Sequence, residues 1–279
     1  MKLDLHCHSV ASDGKLTADE LVTLAEAAEL DYFSITDHDT TAAYKELKGR
    51  QFSFRLVTGI EISSQWSGVG IHIVGLNFNV DHVRITELIH HQRQVREKRA
   101  RAIAQRLAAN GMPGCLQGAL AICHDIGQIG RPHFAQYMVS QGFVKSEKQA
   151  FDKWLGNGKL GDVKSHWPSI EEVVSAIVSA GGVAVLAHPL RYKMTFSKLR
   201  RLVSHFTEVG GQAIELVGHQ VSPDKQKQLN KLAVDHQLAA SAGSDFHDPQ
   251  WRWAQVGQLP ALPSDIVPIW QLFEHGEGV

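Results

Sequence analysis

A chain of 279 residues, 43% hydrophobic and 20% charged, can bury a substantial core as one large domain or one domain with an insertion. The formal net charge of -1 argues against an extended surface for duplex nucleic acid or membrane. No uncharged run approaches the roughly 20 residues of a membrane span, and Met1-Lys2-Leu3-Asp4 meets charge at once, so neither an anchor nor a signal peptide is expected and the cytoplasm is the expected compartment.

Residues 2–8 read as a first strand, whose alternation puts His6 and His8 on one face and Cys7 on the other, packing as a small hydrophobe. Two imidazoles so placed can share a cation, although a pair of surface histidines reads the same way. Asp13 follows, just before Gly14. Thr17-Ala18-Asp19-Glu20 is a capping box that opens a helix to about Leu30. Residues 32–36 form a short buried strand ending in Asp37-His38-Asp39, where one aspartate is expected to orient His38, and a polar helix then runs to about Arg50. Residues 56–60 are a third strand ending in Glu61. Residues 67–70 are a turn, and 71–76 a fourth strand carrying His72.

The rhythm then changes. An Arg- and Lys-rich helix occupies about 81–110 and stops at Gly111; short helical pieces follow to about 155, separated by Gly114, Gly127, Gly130 and Gly142. The expected organisation is a barrel from residues 1–99 and 161–279 interrupted by a helical insertion over 100–160. Strand and helix resume with a capped helix from Ser169 to Ala180, a strand over 183–187 ending in His188-Pro189, a helix over 197–209 and a strand over 213–217. Ser222-Pro223 starts a helix to His236, and a strand over 238–242 leads into Gly243-Ser244-Asp245-Phe246-His247. A last helix is expected over 265–273. His219 follows the sixth strand without an assigned role, and His275 reads as a surface residue.

About seven strands in β/α alternation indicate an α/β barrel, whose site lies where strands end and helices begin. Ligand-type side chains mark five such ends: His6 and His8, Asp37 and His38, Glu61, His188, and Asp245 with His247. His72 must enter from the same rim. Sixteen histidines are about twice what a usual share of roughly 2–3% would give, which favours metal chemistry. Cys7, Cys115 and Cys123 include no Cys-x-x-Cys, so no cysteine zinc site is indicated.

The motifs His6-Cys7-His8, Thr36-Asp37-His38-Asp39, Glu61, His72, His188-Pro189 and Gly243-Ser244-Asp245-Phe246-His247 resemble, in order and along the whole chain, those of the PHP (polymerase and histidinol phosphatase) family of metal-dependent phosphoesterases. The resemblance implies a distorted (β/α)7 barrel with a small helical insertion domain and metals at the strand C-termini. It gives His6, His8, Glu61 and Asp245 to one ion, Asp13, His38 and His247 to a second, and Glu61, His72 and His188 to a third, with Glu61 bridging. Many relatives carry histidine where this chain has Asp13. Asp13, His38, Glu61, His188, Asp245 and His247 are the residues expected to carry catalysis. Mn²⁺, two or three ions per chain, is favoured by the family and more weakly by the ligand types, with Zn²⁺ or Fe²⁺ as alternatives.

Within that family, residues 93–99, the loop Gly130-Arg131-Pro132-His133-Phe134 and the stretch Ala187-His188-Pro189-Leu190-Arg191-Tyr192 resemble the branch that hydrolyses nucleoside 3',5'-bisphosphates, related to enzymes that trim short RNA from its 5' end. The implied partner is a small nucleotide or short oligonucleotide. Metals would hold the scissile phosphate, so a second phosphate needs guanidinium anchors, for which Arg96, Arg99, Arg131 and Arg191 are the candidates, with His133 beside them. Histidinol-phosphate hydrolysis, a non-catalytic metal-binding module and a metal-dependent amidohydrolase are the competing readings. The last would place a carboxylated lysine where this chain resembles the family with Glu61.

Overall fold

The computed structural model describes residues 1–217 and 221–273; His219 and His275 lie outside them. In chain order the strands are β1 (Leu3–Asp4), β2 (Tyr32–Phe33), β3 (Arg55–Leu56), β4 (Gly59–Trp66), β5 (Val69–Leu76), β6 (Val183–Leu186), β7 (Ala213–Val217) and β8 (Ala239–Ala242). The α-helices are α1 (Ala18–Ala27), α2 (Ala43–Leu47), α3 (Val83–Ala108), α4 (Cys115–Cys123), α5 (Arg131–Ser140), α6 (Glu147–Ala150), α7 (Ile170–Ser179), α8 (Phe196–Glu208) and α9 (Pro223–Asp235). Capping boxes at Thr17/Glu20 and Ser169/Glu172 start α1 and α7. No helix among the described residues is long and apolar enough to cross a membrane.

β1-β2-β3 and β4-β5-β6-β7-β8 form two sheets that irregular backbone pairing joins into a closed barrel. Only Val57 and Thr58 separate β3 from β4, so the two are lengths of one strand and the barrel has seven. At one seam Glu61 N–H donates to the Thr36 carbonyl (3.1 Å) and Asp39 N–H to the Glu61 carbonyl (2.9 Å). At the other, Asp245 N–H donates to the His6 carbonyl (2.7 Å) and His8 N–H to the Phe246 carbonyl (2.9 Å). A single isolated bridge marks each seam, His38 with Glu61 and Cys7 with Phe246.

The strands are buried on both faces, as a barrel sheathed by helices requires. Leu5, Val57, Val74, Val185, Ala213 and Ala239 meet in one cluster together with Ile269 and Phe273. Residues of the opposite parity, among them Ile60, Ile73, Leu186, Ile214 and Ala240, pack against α7, α8 and α9. A separate cluster spans residues 100–155, joining the C-terminal half of α3 to α4, α5 and α6 around Phe134 and Met138.

Three elements differ from the sequence reading. The fourth strand, β5, is antiparallel to both β4 and β6. Its connection to β4 is the two-residue turn Ser67-Gly68, with φ of 46° and 75°, which folds a hairpin and leaves no room for a helical crossover. The first strand enters the ladder only at Leu3–Asp4, and the rest runs extended along the seam. The expected last helix is a 3-10 turn, Ile269–Phe273, preceded by Pro268, whose ring removes an N–H donor.

Candidate active site

Reversal of β5 answers how His72 reaches the rim where the other strands end. It lies near the start of a strand running the opposite way, opposite Ser63 of β4. Glu61 is not at a strand end but is the third residue of β4, where the backbone still pairs with Thr36 and Asp39. Close approach sets the remaining positions. A Cβ on Gly243 would lie 2.0 Å from that of His6, and one on Gly14 would lie 2.1 Å from the His8 carbonyl oxygen. Asp39, His188 and Asp245 have φ of 54°, 29° and 51°, a left-handed conformation that costs non-glycine residues on the order of 1 kcal/mol each. The fold holds all three there against that cost.

The nine ligand-type side chains converge, with Glu61 at their centre. Its Oε2 is 2.8 Å from His38 Nδ1, 3.3 Å from His8 Nε2 and 3.4 Å from His6 Nε2. Its Oε1 is 2.7 Å from His72 Nδ1 and 2.9 Å from His188 Nε2. Asp245 Oδ1 lies 3.1 Å from His8 Nε2, and Asp13 Oδ1 lies 3.3 Å from His247 Nε2. Three groups have mutually close donor atoms: His6, His8, Glu61 and Asp245; His8, Asp13, His38 and His247; and His38, Glu61 and His72. The first is the set the resemblance gives to one ion. In the second, His8 joins Asp13, His38 and His247. In the third, His38 stands where the resemblance puts His188, which reaches Glu61 but falls outside the group.

The donor geometry fits divalent cations. His6 Nε2 and His8 Nε2 are 3.1 Å apart, about the separation of two imidazole nitrogens bound at right angles to one ion at roughly 2.1 Å. His38 Nδ1 and Glu61 Oε2 are close yet make no hydrogen bond. Among the described residues neither has a hydrogen-bond partner although both are buried, and the same holds for His8 Nδ1 and Asp13 Oδ1. Unpartnered buried nitrogen and oxygen atoms are costly, and a shared cation satisfies them together.

The electrostatics agree. Burial opposes ionisation of Glu61, but His72, His38 and His6 outweigh it and hold its carboxyl well below the usual range. Asp245 is held low against burial by His6 and His247, with Arg191 adding. Burial also opposes protonation of His8, but the neighbouring Asp245 and Glu61 carboxylates raise it to about 10. The cluster therefore demands positive charge, from protons or from metal.

Supporting residues explain this rigidity. Glu215 of β7 is 6% exposed; its Oε1 is 2.6 Å from His6 Nδ1, and its Oε2 accepts from the His188 N–H at 2.6 Å. Such a carboxylate fixes the tautomer that turns His6 Nε2 inward. The sequence reading missed it, although a lone acid within the apolar run Ala213–Val217 was its signal. Tyr192 Oη accepts from the His72 N–H (2.9 Å) and donates to the Ala187 carbonyl (2.9 Å), tying β5 to the end of β6. Neither aspartate beside His38 bonds to its ring, contrary to expectation. Asp37 accepts from Ser9 and Ser12 and so fixes the loop that carries Asp13. Asp39 accepts from Ser63, Gln92 and Arg96.

The expected substrate anchors divide. Arg96 is 6% exposed and pairs with Asp39 Oδ2 through Nε (2.6 Å) and Nη2 (2.5 Å), so it holds the His38 loop to α3 before any substrate arrives. His133 accepts from the Gly130 N–H through Nδ1 (2.9 Å), and the Ser12 backbone lies near its ring, so it links the start of α5 to the Asp13 loop. Arg99 and Arg131 hydrogen-bond to neutral oxygens, Arg99 to the Val163 carbonyl and Arg131 to the Leu155 carbonyl and Asn157 Oδ1. Arg96 and Arg99 both lie over Trp167, at 5.7 and 5.8 Å from its ring centre, a residue without a motif to announce it. Burial, then the neighbouring Arg131 and Arg96, push Arg99 down to about 9. Arg191 pairs with Asp245 Oδ2 at the rim.

Comparison with known proteins agrees with this arrangement. A model of the PHP domain matches residues 4–162. The 5'-3' exoribonuclease Rnm of Escherichia coli is 42% identical over 98% of this chain and 94% of its own. The 3',5'-nucleoside bisphosphate phosphatase of Chromobacterium violaceum is 38% identical over 98% of this chain and 96% of its own. A solved structure described as an amidohydrolase from Chromobacterium violaceum, with bound sulfate and no metal, superposes with a TM-score of 0.89 at 37% identity, covering 98% of this chain and 96% of that one. Motif order, seam geometry and full-length similarity together place the chain in the PHP family of phosphoesterases.

Proposed function

We propose that this protein removes the 3'-phosphate from nucleoside 3',5'-bisphosphates and shortens 5'-phosphorylated RNA one nucleotide at a time with the same site. One observation carries the reading: an imidazole–carboxylate cluster fit for several cations stands beside the half-buried guanidinium groups of Arg99 and Arg131, whose hydrogen bonds go to neutral oxygens. Arg99 and Arg131 repel one another, an effect that Asp162 offsets only in part, and a phosphate dianion would relieve the rest. The relatives named for each of the two activities support a shared site, at 42% and 38% identity. Glu61 at the bridging position favours phosphate esters over the amidohydrolase reading.

Two or three ions, Mn²⁺ before Zn²⁺ or Fe²⁺, would be held by the three donor groups, with His188 supporting the one around Glu61. Such ions supply Lewis-acid charge and acidify water. Around them the chain's residues orient and hold. Glu215 keeps His6 turned inward, Asp39 and Arg96 fix the His38 loop, and His133 fixes the Asp13 loop. Arg99 and Arg131 bind the 5'-phosphate and set the distance to the phosphorus attacked. In the reaction a water oxygen joins phosphorus, the P–O3' bond breaks and a proton ends on O3'. A bisphosphate yields a nucleoside 5'-phosphate and orthophosphate. RNA yields a 5'-mononucleotide and a chain with a new 5'-phosphate, the group the anchor recognises. Substrates of this kind favour the cytoplasm as its compartment.

The test is phosphate release from adenosine 3',5'-bisphosphate by purified protein with Mn²⁺, alongside shortening of 5'-phosphorylated RNA. No release from the bisphosphate, with turnover of histidinol phosphate, would overturn the assignment.

A further inference from the structure

Trp251 and Trp253 remain unexplained by the metal and guanidinium clusters. They are 38% and 52% exposed, unusual for side chains of this size and apolarity, and their rings stack with centres 5.7 Å apart and planes 14° from parallel. The turn that carries them is fixed: the Trp251 N–H donates to the Asp248 carbonyl, Gln255 Nε2 donates to the Trp251 carbonyl, and Ala254 is buried. Trp251 also lies 5.8 Å from the ring of His247. The two tryptophans wall a cavity of about 400 Å³, a size suited to one nucleotide, whose inner end is Asp13, His247 and Asp245. Phe151 closes it on the insertion side.

We propose that this cavity seats the second nucleotide of an RNA substrate, with its base stacked on the Trp251–Trp253 pair. The proposal rests on the phosphoesterase reading above. A substrate with its 5'-phosphate at Arg99 and Arg131 and its scissile phosphate at the metal cluster must send the rest of its chain away from those arginines. The cavity begins at the metal ligands, and neither Arg99 nor Arg131 lines it. Lys15 and Arg191 give its wall positive charge, Arg191 while paired with Asp245, and Gln136, Glu147 and Asp248 offer partners to base edges and ribose hydroxyls. Stacking on aromatic rings binds any base, as a sequence-tolerant exonuclease requires.

A nucleoside bisphosphate has no second base, and this separates the outcomes. In the double variant Trp251→Ala/Trp253→Ala, KM for a 5'-phosphorylated pentanucleotide should rise about tenfold, while KM for adenosine 3',5'-bisphosphate stays within about twofold. Trp253→Phe should recover most of the RNA affinity. With metal chelated, the pentanucleotide should quench tryptophan fluorescence in the wild type and much less in the double variant. An unchanged RNA KM overturns the proposal, and so does an equal rise for the bisphosphate, which would put the first base there. If the wild type hydrolyses neither substrate, the phosphoesterase reading fails by itself, and the quenching decides the proposal: quenching lost in the variant upholds it, and no quenching in the wild type overturns it.

Discussion

The imidazole–carboxylate cluster and the guanidinium cluster share one rim of the barrel, and they are held in opposite ways. Ligands of the first come from the ends of most barrel strands, and a network behind them fixes them: Glu215 on His6, Tyr192 on β5, Asp37 and Asp39 on the loops. The second is assembled from α3 and α5, and Arg99 and Arg131 hydrogen-bond to carbonyl and amide oxygens and lie over aromatic faces, with Asp162 the carboxylate acting on both. One cluster gathers donors for cations; the other gathers positive charge for an anion. The first should govern the chemical step, and the second should govern which phosphates are presented to it.

Substitutions in each cluster test that contrast. The largest effect is expected for Glu61→Gln, which removes the charge shared by five imidazoles. Its kcat should fall by roughly 10³-fold, with fewer ions retained by metal analysis. Retention of full metal content and activity would show that Glu61 does not bridge. Glu215→Gln comes next. Glu215 lies outside the three donor groups, yet its loss should cost about 10- to 100-fold in metal affinity or kcat, because the His6 tautomer is no longer fixed. Metal titration followed by steady-state rates reads this directly. Arg99→Ala should raise KM for bisphosphates about 10- to 30-fold with kcat nearly unchanged. A fall in kcat with constant KM would instead place Arg99 in the chemistry and erase the distinction between the clusters.

What could be read in advance follows the same division. The metal-ligand candidates lie in short motifs at strand ends, such as His6-Cys7-His8 and Asp245-Phe246-His247, where local spacing is the signal. Arg96 is different: its partner Asp39 is 57 residues away, so nothing near it distinguished a buried ion pair from a phosphate anchor. His133 looked available because only the fold brings the Ser12 backbone near its ring; its bond from the Gly130 N–H, three residues away, is local to the start of α5. The turn at Ser67-Gly68 was visible, but the β/α rhythm on either side masked its consequence, an antiparallel β5.

The seams of the barrel carry a further meaning. Where the three-stranded and five-stranded sheets meet, the ladder is down to one bridge on each side, and His38 with Glu61 and Cys7 between His6 and His8 sit at those bridges. Ions gripped there would lace the two sheets together like rivets through overlapping plates. Holding the barrel shut and holding the phosphate would then be one task given to the same few side chains.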